Sequence, residues 1–304
     1  MTKIGSRLKP FLRWMILGAT LFFLAQTLKN HWQEVIAIRI RQEGWVFLAM
    51  ALGVTLLAHT WCGWVWGWIL QEFNQPVKAP WAIRVFLKTN IAKYLPGNVW
   101  HFYGRVWAAR KAGISLEAAI LSVVLEPLLM AASALFIALV GSNSERWGLQ
   151  VVSLAVVAIA IHPRVLNPVI QHLSRLKTKA IDGDTIETAV FQVKRYPLRP
   201  WLGELGFLGL RSAGFLLTVL AIGSVSLDQI PILLSAFSLA WLLGLVVPGA
   251  PGGMGVFEAT ALALLNQRFS AGLILSAVAL YRLVSILAEA AGAGIAWLEE
   301  RRQS

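Results

Sequence analysis

Long apolar segments separated by short polar ones dominate the chain. A helix needs about 20 apolar residues to cross a hydrocarbon core roughly 30 Å thick. Apolar runs of this length, or somewhat shorter, cover 11–29, 45–70, 116–140, 147–162, 201–222, 232–247, 255–266 and 271–297. The pattern predicts an all-α polytopic membrane protein of about eight spans, in which residues 1–304 form a single integral membrane domain.

The sixth and seventh runs are short and flank a segment rich in proline and glycine. That segment, Val246 to Ala259, reads VVPGAPGGMGVFEA. Proline and glycine leave backbone groups without helical partners, and hydrocarbon cannot satisfy those groups, so such a break is tolerated only inside protein or beside water. We therefore expect a polar cavity here, with a helix that restarts at about Gly253 or Met254 and directs its N-terminal amides into the cavity.

A related stretch occurs in the first half of the chain. KYLPGNVWHFYGR aligns with GAPGGMGVFEATA, so that Pro96-Gly97 falls on Pro251-Gly252 at an offset of 155 residues. Corresponding Gly/Pro-interrupted segments in two halves of a transporter indicate its binding site. The alignment predicts two broken or re-entrant helices and an internal repeat. Its halves would be 1–150 and 151–304.

Composition and charge support a membrane location. The chain is 57% hydrophobic and only 14% charged, yet its formal net charge is +12. The cations concentrate in segments 71–115 and 163–200, between apolar runs, which is the distribution of cytoplasmic loops and not of a nucleic-acid-binding domain. We expect both termini in the cytoplasm and anionic phospholipids as partners, since juxtamembrane cations attract anionic lipid.

The motifs of common enzyme classes are missing from the sequence. A single cysteine, Cys62, permits no intramolecular disulfide or cysteine-based metal cluster, and the five histidines show no metal-ligand spacing. The chain also lacks the GxSxG, Walker A and GxGxxG motifs. We therefore expect no cofactor, no metal and no enzymatic activity.

Ionisable residues inside apolar runs are the strongest candidates for function, because burying them in a membrane is costly unless they face a cavity or a partner. They are Glu126, Glu204, Arg211, Glu258, Arg282 and Glu289. Glu258 follows the break and could neutralise an arginine. Glu204 is less favoured because it lies close to Trp201, at the expected membrane interface. Structural ion pairing that fixes helix register is the alternative explanation for each of them.

A phosphate group suits both broken segments. Helix N-termini bind phosphate, Asn98 is a suitable N-cap, and Arg105 could add a bidentate guanidinium. The predicted phosphate site comprises Pro96, Gly97, Asn98, Arg105, Pro251, Gly252, Gly253, Gly255, Glu258 and Arg282. Glu126, Arg211 and Glu289 are its secondary charges. The alternative is that the glycines only allow close helix packing, as Gly249xxxGly253 and Gly63xxxGly67 could.

Three stretches resemble a known family. KYLPGNVWHFYGR, VPGAPGGMGVFEA and YRLVSILAE are similar to the transmembrane region of lysylphosphatidylglycerol synthase/flippase proteins, including stand-alone members without the synthase domain. The resemblance implies a bacterial plasma-membrane protein that handles phospholipids. In one departure, the family often has Glu-Arg in the third span, whereas this chain has Glu126-Pro127.

The expected function is translocation of anionic or aminoacylated phosphatidylglycerol-type lipids without ATPase activity. Two alternatives stay open. The chain could be a membrane accessory subunit for envelope lipid or polysaccharide synthesis, or an intramembrane transferase with Glu258 as base. Whether it acts as a homodimer or with an envelope-biosynthesis partner is also open.

Overall fold

The computed structural model shows helices throughout the part of the chain that it describes. This part comprises residues 29, 33, 40, 42–94, 99–141, 147–165, 167–168, 195–247 and 251–303. Its α-helices are α1 (Gln42–Glu72), α2 (Ala79–Asn90), α3 (Trp100–Lys111), α4 (Leu116–Gly141), α5 (Trp147–Ile161), α6 (Leu198–Ile222), α7 (Ile230–Val246), α8 (Val256–Leu265) and α9 (Ala271–Gln303). Short 3-10 turns occupy Ile91–Tyr94, Leu227–Gln229 and Pro251–Gly253.

Among the described residues, five helices are long and apolar enough to cross a membrane, namely α1, α4, α6, α7 with its preceding turn, and α9. The apolar helices α5 and α8 are shorter. The ten residues of α8 extend roughly 15 Å, about half of a hydrocarbon core. The all-α membrane class is thus supported, while the count of eight spans stays a prediction, as does the internal repeat. The first apolar run, 11–29, lies outside the described residues apart from residue 29.

Small residues allow α1 to pack closely against its neighbours. A Cβ on Gly203 of α6 would lie 2.6 Å from the Val65 side chain, so the two helices meet at van der Waals distance. Gly63 fits equally tightly against α2, since its Cβ would lie 2.9 Å from the Ile83 Cα. Such close approaches replace the hydrophobic driving force that helices lack in lipid. Close packing therefore explains Gly63, as the structural alternative predicted.

An aromatic cluster fixes the short helix α8 in the bundle. Phe257 of α8 packs against Phe215 of α6 and Phe237 of α7, with ring centroids 6.3 Å and 5.6 Å away. Tyr281 of α9 lies 5.6 Å from Phe215 and 5.5 Å from Phe237. These edge-on contacts join four helices. They hold the chain break at 251–255 in a fixed place beside α9.

Candidate functional site

A cavity of about 530 Å³ lies among these helices, beside the break in the chain. Its wall includes residues of α1 to α4, of α6 to α9, and of the turns 91–94 and 251–253. Of the predicted site residues, six line this cavity. They are Arg105, Glu126, Arg211, Gly252, Gly253 and Arg282. The sequence analysis predicted a cavity at this break, and the structure places one there.

The break itself is organised by Glu258 and Arg282. Arg282 Nε donates to Glu258 Oε1 at 2.8 Å, and Arg282 Nη1 donates to the Gly252 carbonyl at 3.3 Å. The other Glu258 oxygen, Oε2, accepts from the Gly255 amide at 2.6 Å. One carboxylate therefore caps α8 and holds the arginine that faces the cavity.

The glycines of the break have backbone angles that other residues rarely adopt. Gly252, Gly253 and Gly255 have φ of 58°, 72° and 86°. Gly253 also approaches α7 so closely that a Cβ would lie 3.0 Å from the Gly244 Cα. Helix α8 starts at Val256 with Gly255 as its N-cap, two to three residues later than expected, because these left-handed angles cannot continue a helix.

A second ion pair joins Arg105 of α3 to Glu126 of α4. Both side chains are almost completely buried, at 3% and 2% exposure. The Arg105 guanidinium also lies over the rings of Phe86 and Phe102, 4.9 Å and 5.3 Å from their centroids. Cation–π contacts and the carboxylate together compensate this charge for its lost hydration.

Glu289 and Arg211 belong to a third polar group on the same cavity. Glu289 Oε1 accepts from Lys93 Nζ at 2.6 Å and lies 3.1 Å from His59 Nε2. Arg211 Nη1 lies 3.2 Å from the same His59 nitrogen and donates to Ser285 Oγ at 3.2 Å. Because one neutral ring nitrogen either donates or accepts, His59 can serve Glu289 or Arg211 but not both at once. This group is therefore able to switch between two hydrogen-bond patterns.

Sequence analysis missed the roles of Lys93, His59 and His101, all of which line the cavity. The sequence analysis interprets Lys93 only as one of the cations of the basic segment 71–115. A signal for His59 does exist, because Thr55, His59 and Cys62 follow the three- and four-residue spacing that places them on one helical face. All three are buried in the structure.

Burial perturbs two titratable groups at the entrance to α3. Burial lowers the pKa of the Lys93 ammonium, an effect that the Glu289 carboxylate opposes by favouring the charged form. Burial also lowers the pKa of His101 to about 3, and the Arg105 charge acts in the same direction. His101 is therefore neutral near pH 7.

Several buried polar atoms around the cavity have no hydrogen-bond partner within the described residues. They are His59 Nδ1, His101 Nδ1, Arg105 Nε, Arg211 Nε and Glu289 Oε2. Buried polar groups are normally satisfied, and each exception suggests water, an ion or a ligand. Because the two guanidinium atoms are obligate donors, the arrangement suits a ligand that supplies hydrogen-bond acceptors.

The remaining predicted residues are distributed as follows. Glu258 and Glu289 contact the cavity-lining Arg282 and Lys93 without lining the cavity themselves, and the Gly255 amide donates to Glu258. Pro96, Gly97 and Asn98 lie outside the described residues, and Pro251 is described through its backbone alone. Glu204 does not line the cavity, and its side chain is completely buried in the protein; its position close to the membrane interface stays a prediction.

Glu204 lies in a compact cluster with Cys62 and Glu126. Cys62 Sγ is 3.8 Å from Glu126 Oε1 and 3.9 Å from both Glu204 oxygens. The three groups come from α1, α4 and α6, and their Sγ and carboxylate oxygen atoms lie within 4.8 Å of one another. Sequence spacing gave no indication of this cluster, because its residues are 64 and 142 positions apart.

Sequence comparison does not extend the resemblance described above. The chain matches no protein-family model and no curated protein sequence. The functional argument therefore depends on the cavity and its charges.

Proposed function

We propose that the protein translocates anionic or aminoacylated phospholipids of the phosphatidylglycerol type, without ATP hydrolysis. The observation that carries the proposal is the cavity of about 530 Å³ with Lys93, Arg105, Arg211 and Arg282 in its wall. A cavity whose largely apolar wall carries four cations provides the charges that an anionic headgroup requires to leave water and cross a bilayer.

The chemistry of the wall suits a phosphodiester. Arginine side chains bind phosphate through paired N–H donors, and both Arg105 and Arg211 have an Nε donor without a partner in the described part of the chain. The aromatic and aliphatic part of the wall, which includes Phe102, Phe207 and Trp241, would accept the glycerol and the first acyl carbons. The acyl chains themselves would stay in the bilayer.

The proposed topology follows from the apolar runs and the basic segments. We propose eight spans, cytoplasmic N- and C-termini, and residence in a bacterial plasma membrane. The two Gly/Pro-rich segments would lie at the cytoplasmic end of the cavity. Membrane phospholipids are the proposed partners, and the homodimer is one assembly to be tested. No cofactor is required by this mechanism.

Exchange of headgroup-labelled phosphatidylglycerol between the leaflets of liposomes tests the proposal. Liposomes with the purified protein should exchange the label faster than empty liposomes. Arg282→Ala and Glu258→Gln should slow exchange strongly, because the first removes a phosphate donor and the second loosens the arginine and the α8 cap. Arg302→Ala and Glu299→Gln are matched controls, since both residues are exposed at the end of α9.

Equal exchange in protein-containing and empty liposomes, across several anionic lipids, would overturn translocation. Co-purification of an envelope-biosynthesis enzyme would then favour the accessory subunit. Chemical turnover of a lipid would favour a transferase. Against the latter, both Glu258 oxygens already accept hydrogen bonds, from Arg282 and from Gly255, an arrangement that suits positioning better than proton abstraction.

A further inference from the structure

Glu204 is a completely buried carboxylate on α6, packed between the apolar helices α1 and α4. Within the described part of the chain, no lysine, arginine or histidine forms an ion pair with it; the nearby Arg105 is paired with Glu126. Its close polar neighbour is the Cys62 thiol, 3.9 Å away. An ionised carboxylate without a counter-charge is very costly in such a place.

The Cys62 thiol cannot satisfy the cluster by itself. Cys62 Sγ lies within 4.0 Å of oxygens on both Glu126 and Glu204, yet a thiol has only one hydrogen to donate. The ligand-type atoms of the three residues lie within 4.8 Å of one another. Ionising two carboxylates this close in a low dielectric is costly, so the pair has a high affinity for one shared proton. The cluster thus needs one more positive charge than the protein supplies.

The charges that line the cavity relate this extra proton to the binding of an anion. Four cations line the cavity, and three carboxylates, Glu126, Glu258 and Glu289, pair with three of them. Arg211, which contacts His59 and Ser285, is left without its own carboxylate among the described residues. The four cations and three carboxylates therefore sum to one positive charge while Glu204 is neutral. With an ionised Glu204 the sum is zero.

Glu126 connects the two regions. It lines the cavity, pairs with Arg105, and contacts Cys62 on the side of the cluster. A change of charge at Glu204 therefore changes the electrostatic energy of Arg105, which is connected to it through Glu126 and Cys62. In a low-dielectric interior such charges interact much more strongly than in water.

We propose that the Cys62, Glu126 and Glu204 cluster binds one proton together with an anionic phosphate headgroup in the cavity. This inference deepens the proposed function, because it names the ion that is coupled to the lipid. Phosphatidylglycerol carries one negative charge, on its phosphodiester, so this lipid and the proton together are electrically neutral. Loss of the proton from Glu204 removes the surplus positive charge and releases the headgroup.

Each titratable or charged group near Glu204 has a defined position. Cys62 faces it from α1, Glu126 from α4 and Arg105 from α3. His59 and His101 lie elsewhere on the cavity wall. Of these, His101 has a pKa of about 3 and stays neutral near pH 7. His59 is the group that could imitate the effect, so the experiment must separate it from Glu204.

Proton uptake during lipid binding is the direct test. Short-chain phosphatidylglycerol is titrated into the purified protein in weakly buffered detergent with a pH indicator, while bound lipid is measured separately. Above the pH at which the lipid-free cluster loses its proton, we expect uptake to approach one proton per bound lipid and the affinity to rise by up to about tenfold per unit fall in pH; below that pH both effects should vanish. Inorganic phosphate is titrated in a second experiment. Proton uptake with this ligand as well would show that the site recognises the phosphate group alone.

The variants assign the proton. Glu204→Gln should bind lipid with little proton uptake and with an affinity nearly independent of pH. Glu204→Asp should restore both, since it keeps a titratable carboxyl group, and Glu299→Gln should behave like the unmodified protein. Uptake that persists in Glu204→Gln would overturn the assignment and direct attention to His59.

The results separate this inference from the proposed function. Lipid binding without proton uptake in the unmodified protein overturns the inference alone. Proton-linked binding without leaflet exchange overturns translocation and leaves the coupled site standing. Absence of both binding and uptake overturns both. In liposomes, a pH gradient should drive net lipid movement in the unmodified protein, and Glu204→Gln should exchange lipid without responding to the gradient.

Discussion

The cavity is bordered by two arginine–glutamate pairs that differ in their access to water. The Arg105 and Glu126 side chains are 3% and 2% exposed, whereas those of Arg282 and Glu258 are 22% and 13% exposed. The first pair joins two regular helices, and the second lies at a break in the chain. The difference separates two roles for the same chemistry, because a fully buried pair cannot be opened cheaply and a partly open pair can exchange its partner for a ligand.

Four predictions test this difference in exposure. The largest effect should come from the buried pair. Arg105→Met removes the cation and leaves Glu126 and Glu204 facing each other in the interior. We expect the free energy of unfolding in mixed micelles to fall by about 3 kcal/mol. Arg105→Lys keeps the charge and should lose less. An Arg105→Met protein as stable as the unmodified one would show that the pair contributes nothing to the fold.

The open pair should affect lipid handling more than stability. Arg282→Ala removes a charged donor whose hydrogen bonds contribute about 1.5–3 kcal/mol, so lipid binding should weaken by roughly ten- to a hundredfold. The free energy of unfolding should change by less than about 1 kcal/mol, since partly exposed pairs are screened. A large loss of stability with unchanged lipid binding would reverse the roles of the two pairs.

The break that carries the open pair should be sensitive to a single methyl group. Gly253→Ala places a Cβ 3.0 Å from the Gly244 Cα on a residue whose φ is 72°. We expect a loss of about 1–2 kcal/mol in the free energy of unfolding, from the left-handed angle and the displaced backbone. Gly294→Ala is the matched control in α9, because its Cβ would meet nothing within 4 Å. Equal effects in both variants would argue against a rigid break.

The smallest effect should come from an ion pair outside the cavity. Lys88 of α2 and Glu300 of α9 pair with side chains that are 35% and 60% exposed. Because solvent screens such pairs, Lys88→Ala and Glu300→Ala should leave the thermal unfolding midpoint unchanged within error. A clear fall in that midpoint would indicate that the α2–α9 contact depends on this pair.

The class of the protein was already determined by the sequence. Apolar run lengths and the scarcity of charge require helices that satisfy their own backbone groups in lipid, and α1, α4, α6, α7 and α9 meet this requirement. The Gly/Pro-rich segment likewise predicted a break with a cavity beside it. These properties are local, since they depend on residues adjacent in the chain.

The partners of the buried charges were decided by the tertiary structure alone. Arg282 and Glu289 share a helix, yet Arg282 pairs with Glu258 of α8 while Glu289 contacts Lys93 and His59. Glu204 was less favoured because it lies close to Trp201 in the sequence, yet it meets Cys62 and Glu126 in the protein interior. Helical periodicity fixes only which residues share a face. Which helix faces meet depends on the close packing of all the helices. This packing brings residues that are far apart in the chain within hydrogen-bond distance.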